Sequence, residues 1–298
     1  MMDYFPTKNE KPKIILGTDW LNDIGDALAL RLLCRLHTLG KIELLGVVAN
    51  SLHPLTKPSL CGFLQNEGLI LPCGIDSSVT IAKSAAFHEI FAQNKKSTIE
   101  FYSSKELLFE LFSQHKNIIY IENGFQTALS GFLFSSFDNK MLKGYEMLSD
   151  SVNKIYLMAG RFDNISNWEF NICYNKDTIS SAVALNSSCP VPLIYSGFEV
   201  GYNVSLSIDN ISDGMIKRAV EVYGKHSCGS HAWDAMNALL GAIDEPNFAG
   251  YELIKADISI NKANGTVSYC ENESSKDCIV KKLKDNQWYS SRIEELIS

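Results

Sequence analysis

From residue 13 onward, short apolar runs alternate with amphipathic ones, and this alternation restricts the chain to very few architectures. Residues 13–16 and 42–49 (IELLGVVA) hold too few polar positions for a strand with one wet face. They predict strands covered on both sides. Residues 27–33 between them carry helical periodicity. The same reading predicts helices at 60–64, 105–113, 177–185, 211–222 and 233–242, and strands at 69–73, 118–121, 155–158 and 191–195. Strands separated by helices predict an α/β fold, a mostly parallel open sheet with helices on both faces. Residues 251–288 are richer in strand and turn signals, with Asn264-Gly265 as a hairpin turn, and predict a small antiparallel extension. With no low-complexity linker and no repeat, residues 1–298 read as a single domain.

In a parallel α/β sheet, ligands bind beyond the carboxyl ends of the strands. The first predicted strand runs into Thr18-Asp19-Trp20-Leu21-Asn22-Asp23-Ile24-Gly25-Asp26. Asp19, Asn22, Asp23 and Asp26 place three carboxylates and an amide within eight residues. Such hard oxygen donors suit calcium or magnesium rather than zinc. Helix capping is the competing explanation, with Asp23 as N-cap and Asp26 three residues on, both favoured by the helix dipole. Asp19 lies too far before the helix to be explained that way.

Charge narrows the partners. The chain has 27 basic and 34 acidic side chains, a net charge of −7. An acidic surface repels phosphate backbones and argues against nucleic-acid binding. No Lys/Arg run points to an anionic membrane surface, and no stretch approaches the roughly 18 apolar residues of a membrane span. Residues 1–13 lack the apolar core of a signal peptide, and the eight cysteines contain no Cys-x-x-Cys pair. The expectation is a cytoplasmic protein with reduced thiols.

Residues 14–30 (IILGTDWLNDIGDALAL) resemble the opening signature of nucleoside hydrolases, in the variant with an Asn-Asp insertion. Four later segments follow in that family's order. Val47-Val48-Ala49-Asn50 resembles its strand-end asparagine. Gly124-Phe125-Gln126-Thr127-Ala128-Leu129 is similar to its Gly-Pro-Leu-Thr-Asn-Leu turn. Glu169-Phe170-Asn171 matches its Glu-Phe-Asn tripeptide, and Ser230-His231-Ala232-Trp233-Asp234 resembles its late aspartate motif. The resemblance implies calcium (Ca2+) held by Asp19, Asp26, Asp234 and the Thr127 carbonyl, and a nucleoside-like substrate. It implies Asp19 as the base that activates water, with Trp233 stacked on the leaving base and His231 as a proton donor to it. Asn22, Asp23, Asn50, Glu169 and Asn171 would face the sugar, with Asp163 and Asn164 at its far hydroxyl. A homodimer or homotetramer serving nucleoside salvage is implied as well. Taken from the residues alone, Asn50, Asp163, Asn164, Glu169 and Asn171 also suit ordinary turns, Trp233 suits a core, and His231 suits an exposed loop.

Three positions depart from the signature. Gly17 replaces its first aspartate, Leu21 replaces a glycine, and Gly25 stands where the first of two paired aspartates is expected. The aspartate missing at Gly25 normally contacts ribose, and one charged hydrogen bond is worth about 1.5–3 kcal/mol. Asn22 or Asp23 is the expected replacement. A second reading follows: a silent homologue that binds calcium and a nucleoside-like ligand without turning it over. A phosphohydrolase with an Asp-x-Asp strand end would need its nucleophile at Gly17, which glycine cannot supply. A purely structural role is left open by fold class alone.

Overall fold

The computed structural model describes residues 5–6, 10–20, 23–82, 86–93, 99–136, 143–207, 209, 211–224 and 230–298. The strands are β1 (Lys13–Thr18), β2 (Glu43–Ala49), β3 (Cys73–Ile75), β4 (Phe101–Ser103), β5 (Ile118–Glu122), β6 (Val152–Met158), β7 (Leu193–Ser196), β8 (Ser205–Leu206), β9 (Ser230–His231), β10 (Tyr251–Ile260), β11 (Val267–Glu271) and β12 (Cys278–Lys282). The helices are α1 (Ile24–Thr38), α2 (Thr56–Asn66), α3 (Phe87–Ala92), α4 (Ser104–Gln114), α5 (Thr127–Leu133), α6 (Gly144–Ser151), α7 (Phe170–Cys173), α8 (Lys176–Ser188), α9 (Phe198–Gly201), α10 (Gly214–Tyr223), α11 (Trp233–Ile243), α12 (Pro246–Ala249) and α13 (Asn286–Ile297). Ten of the strands form one sheet in the order β11-β10-β12-β7-β6-β5-β1-β2-β3-β4. Pairing is parallel from β12 to β4, and antiparallel where β10 meets β12 and β11. The expected α/β architecture, with its antiparallel extension, is the one found.

The central strand shows why. Ile14, Ile15 and Leu16 are all fully buried. Ile14 and Leu16 join the core under α1, α2, α3, α10, α11 and α13, whereas Ile15 joins the core under α4, α5, α6 and α8. Successive strand side chains point to opposite faces, so a strand with helices on both sides needs this unbroken apolar run.

Two segments differ from their sequence expectation. Pairing in the run at 69–73 begins only at Cys73. Gly68, at φ +69°, and the Leu69 N–H to Leu64 carbonyl bond spend the first part of that run closing α2. Pro72 has no N–H to offer a ladder. The chain end, read as strand and turn as far as residue 288, instead enters α13. Asp285 caps it by accepting from the Trp288 N–H, and Tyr289, Ile293, Leu296 and Ile297 bury one face. The hairpin at Asn264-Gly265 is present, as a six-residue loop (261–266) with Gly265 at φ +74°. Among the described residues, no helix is long and apolar enough to cross a membrane, and none of the seven cysteines is in a disulfide.

One amide ties α11 to the sheet. Asn237 is fully buried and its Nδ2 donates to Asn123 Oδ1 (2.8 Å) and the carbonyls of Glu122 and Tyr156 (3.3 Å each). Asn237→Leu keeps the volume and strands those acceptors. It is expected to lower the unfolding free energy by about 1–3 kcal/mol, read as a reduced urea midpoint at unchanged slope.

Candidate functional site

Parallel strands deliver their carboxyl ends to one edge of the sheet, and the described cavity there has a volume of about 240 Å³. Asp19 follows β1, Asn123 follows β5, and Met158 ends β6. Asp19, Asp23, Asp26, Asn123, Glu169, Asn171 and Asp234 give the cavity its polar lining. Met158, Phe170, Phe198 and Trp233 supply its apolar wall. No lysine or arginine lines the cavity among the described residues.

The loop after β1 is held in a conformation most residues avoid. Trp20 has φ +52°, costly for a bulky side chain. It is retained because the residue is tied down from all sides. Its N–H donates to Thr18 Oγ1 (3.1 Å), its indole to Ser59 Oγ (2.9 Å), and its carbonyl meets His88 Nε2 (2.6 Å). The ring packs edge-on against Phe63, 5.3 Å between centroids. Ser51 Oγ donates to the Asp19 carbonyl (2.5 Å), fixing the residue just before the turn.

Asp23 is the N-cap of α1 and accepts from the Gly25 N–H at 2.8 Å, so capping accounts for that carboxylate. It does not account for Asp26, which faces inward, accepts from the Thr18 hydroxyl and is hydrogen-bonded to Asp19. Asp234 enters from the first turn of α11, near the positive end of that helix. Burial, followed by the charges of Asp19 and Asp234, pushes the Asp26 carboxyl well above the carboxylate range. Asp234 is raised likewise, by burial first and then by Asp23, Asp19 and Glu169. Burial raises Glu169 to about 7, against the pull of three backbone N–H donors. Among the described residues, no group of three acidic, histidine or cysteine side chains is placed to hold a metal ion. The Asp26 carboxyl instead bonds to Asp19 and to the Thr18 hydroxyl.

The sequence-predicted residues are distributed unevenly. Asp19, Asp23, Asp26, Glu169, Asn171, Trp233 and Asp234 meet in the cavity. Glu169 caps α7, accepting from Asn171, Ile172 and Gly160 N–H groups, and Asn171 donates to the Asn123 and Met158 carbonyls. Asn50 lies fully buried outside the lining, with its amide on Glu122 and Phe125. Thr127 starts α5, outside the lining, with a buried hydroxyl that has no partner among the described residues. Asp163 is held by Arg161 in a two-oxygen fork at 2.8–3.0 Å, which lowers its carboxyl, and Asn164 sits at φ +60°. His231 stacks on Tyr202 and lies 4.7 Å from the Trp233 ring, outside the lining. Asn22 and Leu21 fall outside the described residues.

Sequence reading missed Asn123, Met158 and Phe198, each at or just beyond a strand end, where position alone is a signal. It also missed Glu122, whose apolar setting (IIYIE) reads as strand core. Its carboxyl is fully buried and lies against Gly17: a Cβ on that glycine would meet Glu122 Oε2 at 2.4 Å. Burial pushes this carboxyl well above its ordinary range.

A parallel sheet with an acidic cavity at its carboxyl edge and an antiparallel end defines the nucleoside hydrolase-like α/β fold. The inosine-uridine preferring nucleoside hydrolase of Bacillus anthracis superposes with a TM-score of 0.71 at 12% identity, over 96% of this chain and 99% of that one. An inosine-guanosine nucleoside hydrolase gives a TM-score of 0.75 at 12% identity, over 97% and 99%. The type III effector protein XopQ, solved with adenosine diphosphate ribose, gives 0.69 at 11% identity, over 99% and 95%. At these identities the likeness is one of fold. No family model and no curated protein matches the chain by sequence.

The raised carboxyls set a pH dependence. A group whose pKa is higher folded than unfolded stabilises the fold below its unfolded value and loses that contribution as pH rises through its folded value. For Glu169 the window runs from 4.5 to about 7; Asp26 and Asp234 act in the same direction from 3.8 upward. In chelator, stability is expected to fall as pH rises across this range, by at most about 1.4 kcal/mol per pH unit for each group. Asp234→Asn should show a shallower fall and a higher thermal midpoint than wild type at pH 8. Scanning fluorimetry against pH checks both.

Proposed function

We propose that the chain hydrolyses the N-glycosidic bond of ribonucleosides, or of a related N-ribosyl compound, in a calcium-dependent reaction. The observation that carries this reading is the convergence of Asp19, Asp26 and Asp234 on one cavity that Glu169 and Asn171 also line. The fold shared with nucleoside hydrolases supports it. Three mutually repelling, buried carboxylates without a lysine or arginine in the lining fit a divalent cation, and an all-oxygen donor set fits calcium. Asp19, Asp26 and Asp234 would hold it, with the Thr127 carbonyl as the further donor. When bound, the ion acidifies the attacking water.

The chain's own residues do the rest in this reading. Asp19 takes the proton from that water. Glu169 and Asn171 bind sugar hydroxyls, with Asp23 on the side left short by Gly25. An oxocarbenium-like sugar is stabilised by the surrounding negative field. The Trp233 ring, fixed by its indole bond to the Phe198 carbonyl (2.9 Å), offers an apolar face to the departing base. His231, whose buried Nδ1 has no partner among the described residues, is assigned the proton for that base.

One observation favours the second reading, a silent homologue. A Cβ on Gly25 would meet Asp234 Oδ2 at 2.4 Å, so the aspartate missing there has no room while Asp234 keeps its place. Reducing-sugar release from a panel of purine and pyrimidine ribonucleosides decides between the two readings, with adenosine diphosphate ribose added because XopQ was solved with it. Asp19→Ala is expected to lower kcat by about 10²–10⁴-fold, and chelator to abolish turnover until calcium is restored. Turnover that survives both treatments would overturn the mechanism. Calcium binding without base release would establish the silent homologue.

A further inference from the structure

Gly17 and Glu122 are directly paired on neighbouring parallel strands, β1 and β5. The Glu122 side chain folds back over the glycine, placing Oε2, Oε1 and Cδ at 2.4, 2.5 and 2.6 Å from where a Cβ on residue 17 would stand. Any other residue at 17 would collide with it. From there Oε1 accepts from Asn50 Nδ2 at 2.6 Å and from the Gly124 N–H at 3.0 Å. Asn50 follows β2, on the far side of β1, and its own N–H donates to the Thr18 carbonyl at 2.8 Å. The Glu122 carboxyl from β5 and the Asn50 amide from the end of β2 therefore meet over β1, together bridging two strand spacings or about 10 Å, and the glycine beneath leaves the carboxyl its room.

What it clamps bears on the site. Asn50 Oδ1 accepts from the Phe125 N–H at 2.9 Å, closing a ring of bonds around Gly124. Gly124 lies against the loop after β1: a Cβ there would meet the Asp19 nitrogen at 2.3 Å and the Thr18 carbonyl carbon at 2.8 Å. The Asp19 backbone thus rests on a residue that Glu122 holds in place.

We infer that Glu122 is a positioning residue for Asp19, and that its carboxyl fills from β5 the place an aspartate at position 17 of β1 would fill. The inference rests on the reading of Asp19 as the base. The departure at Gly17 is then an exchange: the carboxyl is supplied by the neighbouring strand, and the glycine is its condition.

A relocation cycle tests this with four full-length proteins: wild type, Glu122→Ala, Gly17→Asp, and the Gly17→Asp/Glu122→Ala double variant. Gly17→Asp alone sets two carboxyl groups in one space and is expected to lower the thermal midpoint. Glu122→Ala is expected to speed amide hydrogen exchange over residues 17–20 and to reduce kcat by about 10²-fold, with KM little changed. The double variant is expected to regain the midpoint, restore the slow exchange over 17–20 and bring kcat back to within about tenfold of wild type. A folded Glu122→Ala protein with unchanged exchange and kcat would overturn the inference. So would a double variant that regains its midpoint but not its exchange and kcat, since Glu122 would then only fill space. Absence of base release from wild type would sink the proposed activity alone, and the exchange pattern would still decide for or against Glu122.

Discussion

Mutual repulsion among buried carboxylates is the constraint around which the rest of the molecule is arranged. Asp19, Asp26, Asp234 and Glu169 are all less than a tenth exposed and share one cavity. Burying a charge without a partner costs several kcal/mol, and each additional like charge raises that cost. The chain offsets it with backbone N–H groups at Glu169, a hydroxyl at Asp26, the first turn of α11 at Asp234, and raised carboxyl pKa values at Asp26, Asp234 and Glu169. Such an arrangement is costly for folding, and its negative field favours a positively charged ligand.

The remaining architecture makes this tolerable. The acids sit just after β1, in the first turns of α1 and α11 and at the start of α7, and β1, α1 and α11 are packed into a large apolar core. Stability is supplied by the sheet and its covering helices, and the unfavourable electrostatics are confined to one edge. Trp20 shows the same division locally. Its left-handed backbone is strained, and its ring is sunk among Phe63, His88 and Phe91, so the core holds the turn that presents Asp19.

The sheet was legible in the sequence because parallel strands buried on both faces write themselves as unbroken apolar runs, as in IELLGVVA. The final helix was missed although Asp285 and the spacing of Tyr289, Ile293 and Leu296 are ordinary helix signals, because the β-like residues before it dominated the reading. In the site, Asp19, Asp26, Glu169, Asn171 and Asp234 were identified from local motifs, and they do meet. Asn50, from its strand-end motif, and Asp163, from its position before Glu169, were expected at the sugar as well, and the fold places their side chains against Glu122 and Arg161. Which way a strand-end side chain turns depends on its neighbours across the sheet, and those are remote in sequence.

Glu122 is the sharpest instance of that dependence. A motif is read along one strand, but a parallel sheet brings the ends of several strands within one side-chain length of each other. A carboxyl can therefore migrate from β1 to β5 without leaving its place in space, provided that the vacated position becomes glycine. Read along β1, Gly17 is a loss; read across the sheet, it is half of a pair with Glu122. Gly25, in the first turn of α1, and Asp234 show the same geometry, a carboxylate lying where a Cβ would otherwise stand. The acidic groups of such a site are properly counted by the cavity they enter, because the cavity's field, and not the order of residues in a motif, is what a cation or an oxocarbenium-like sugar responds to.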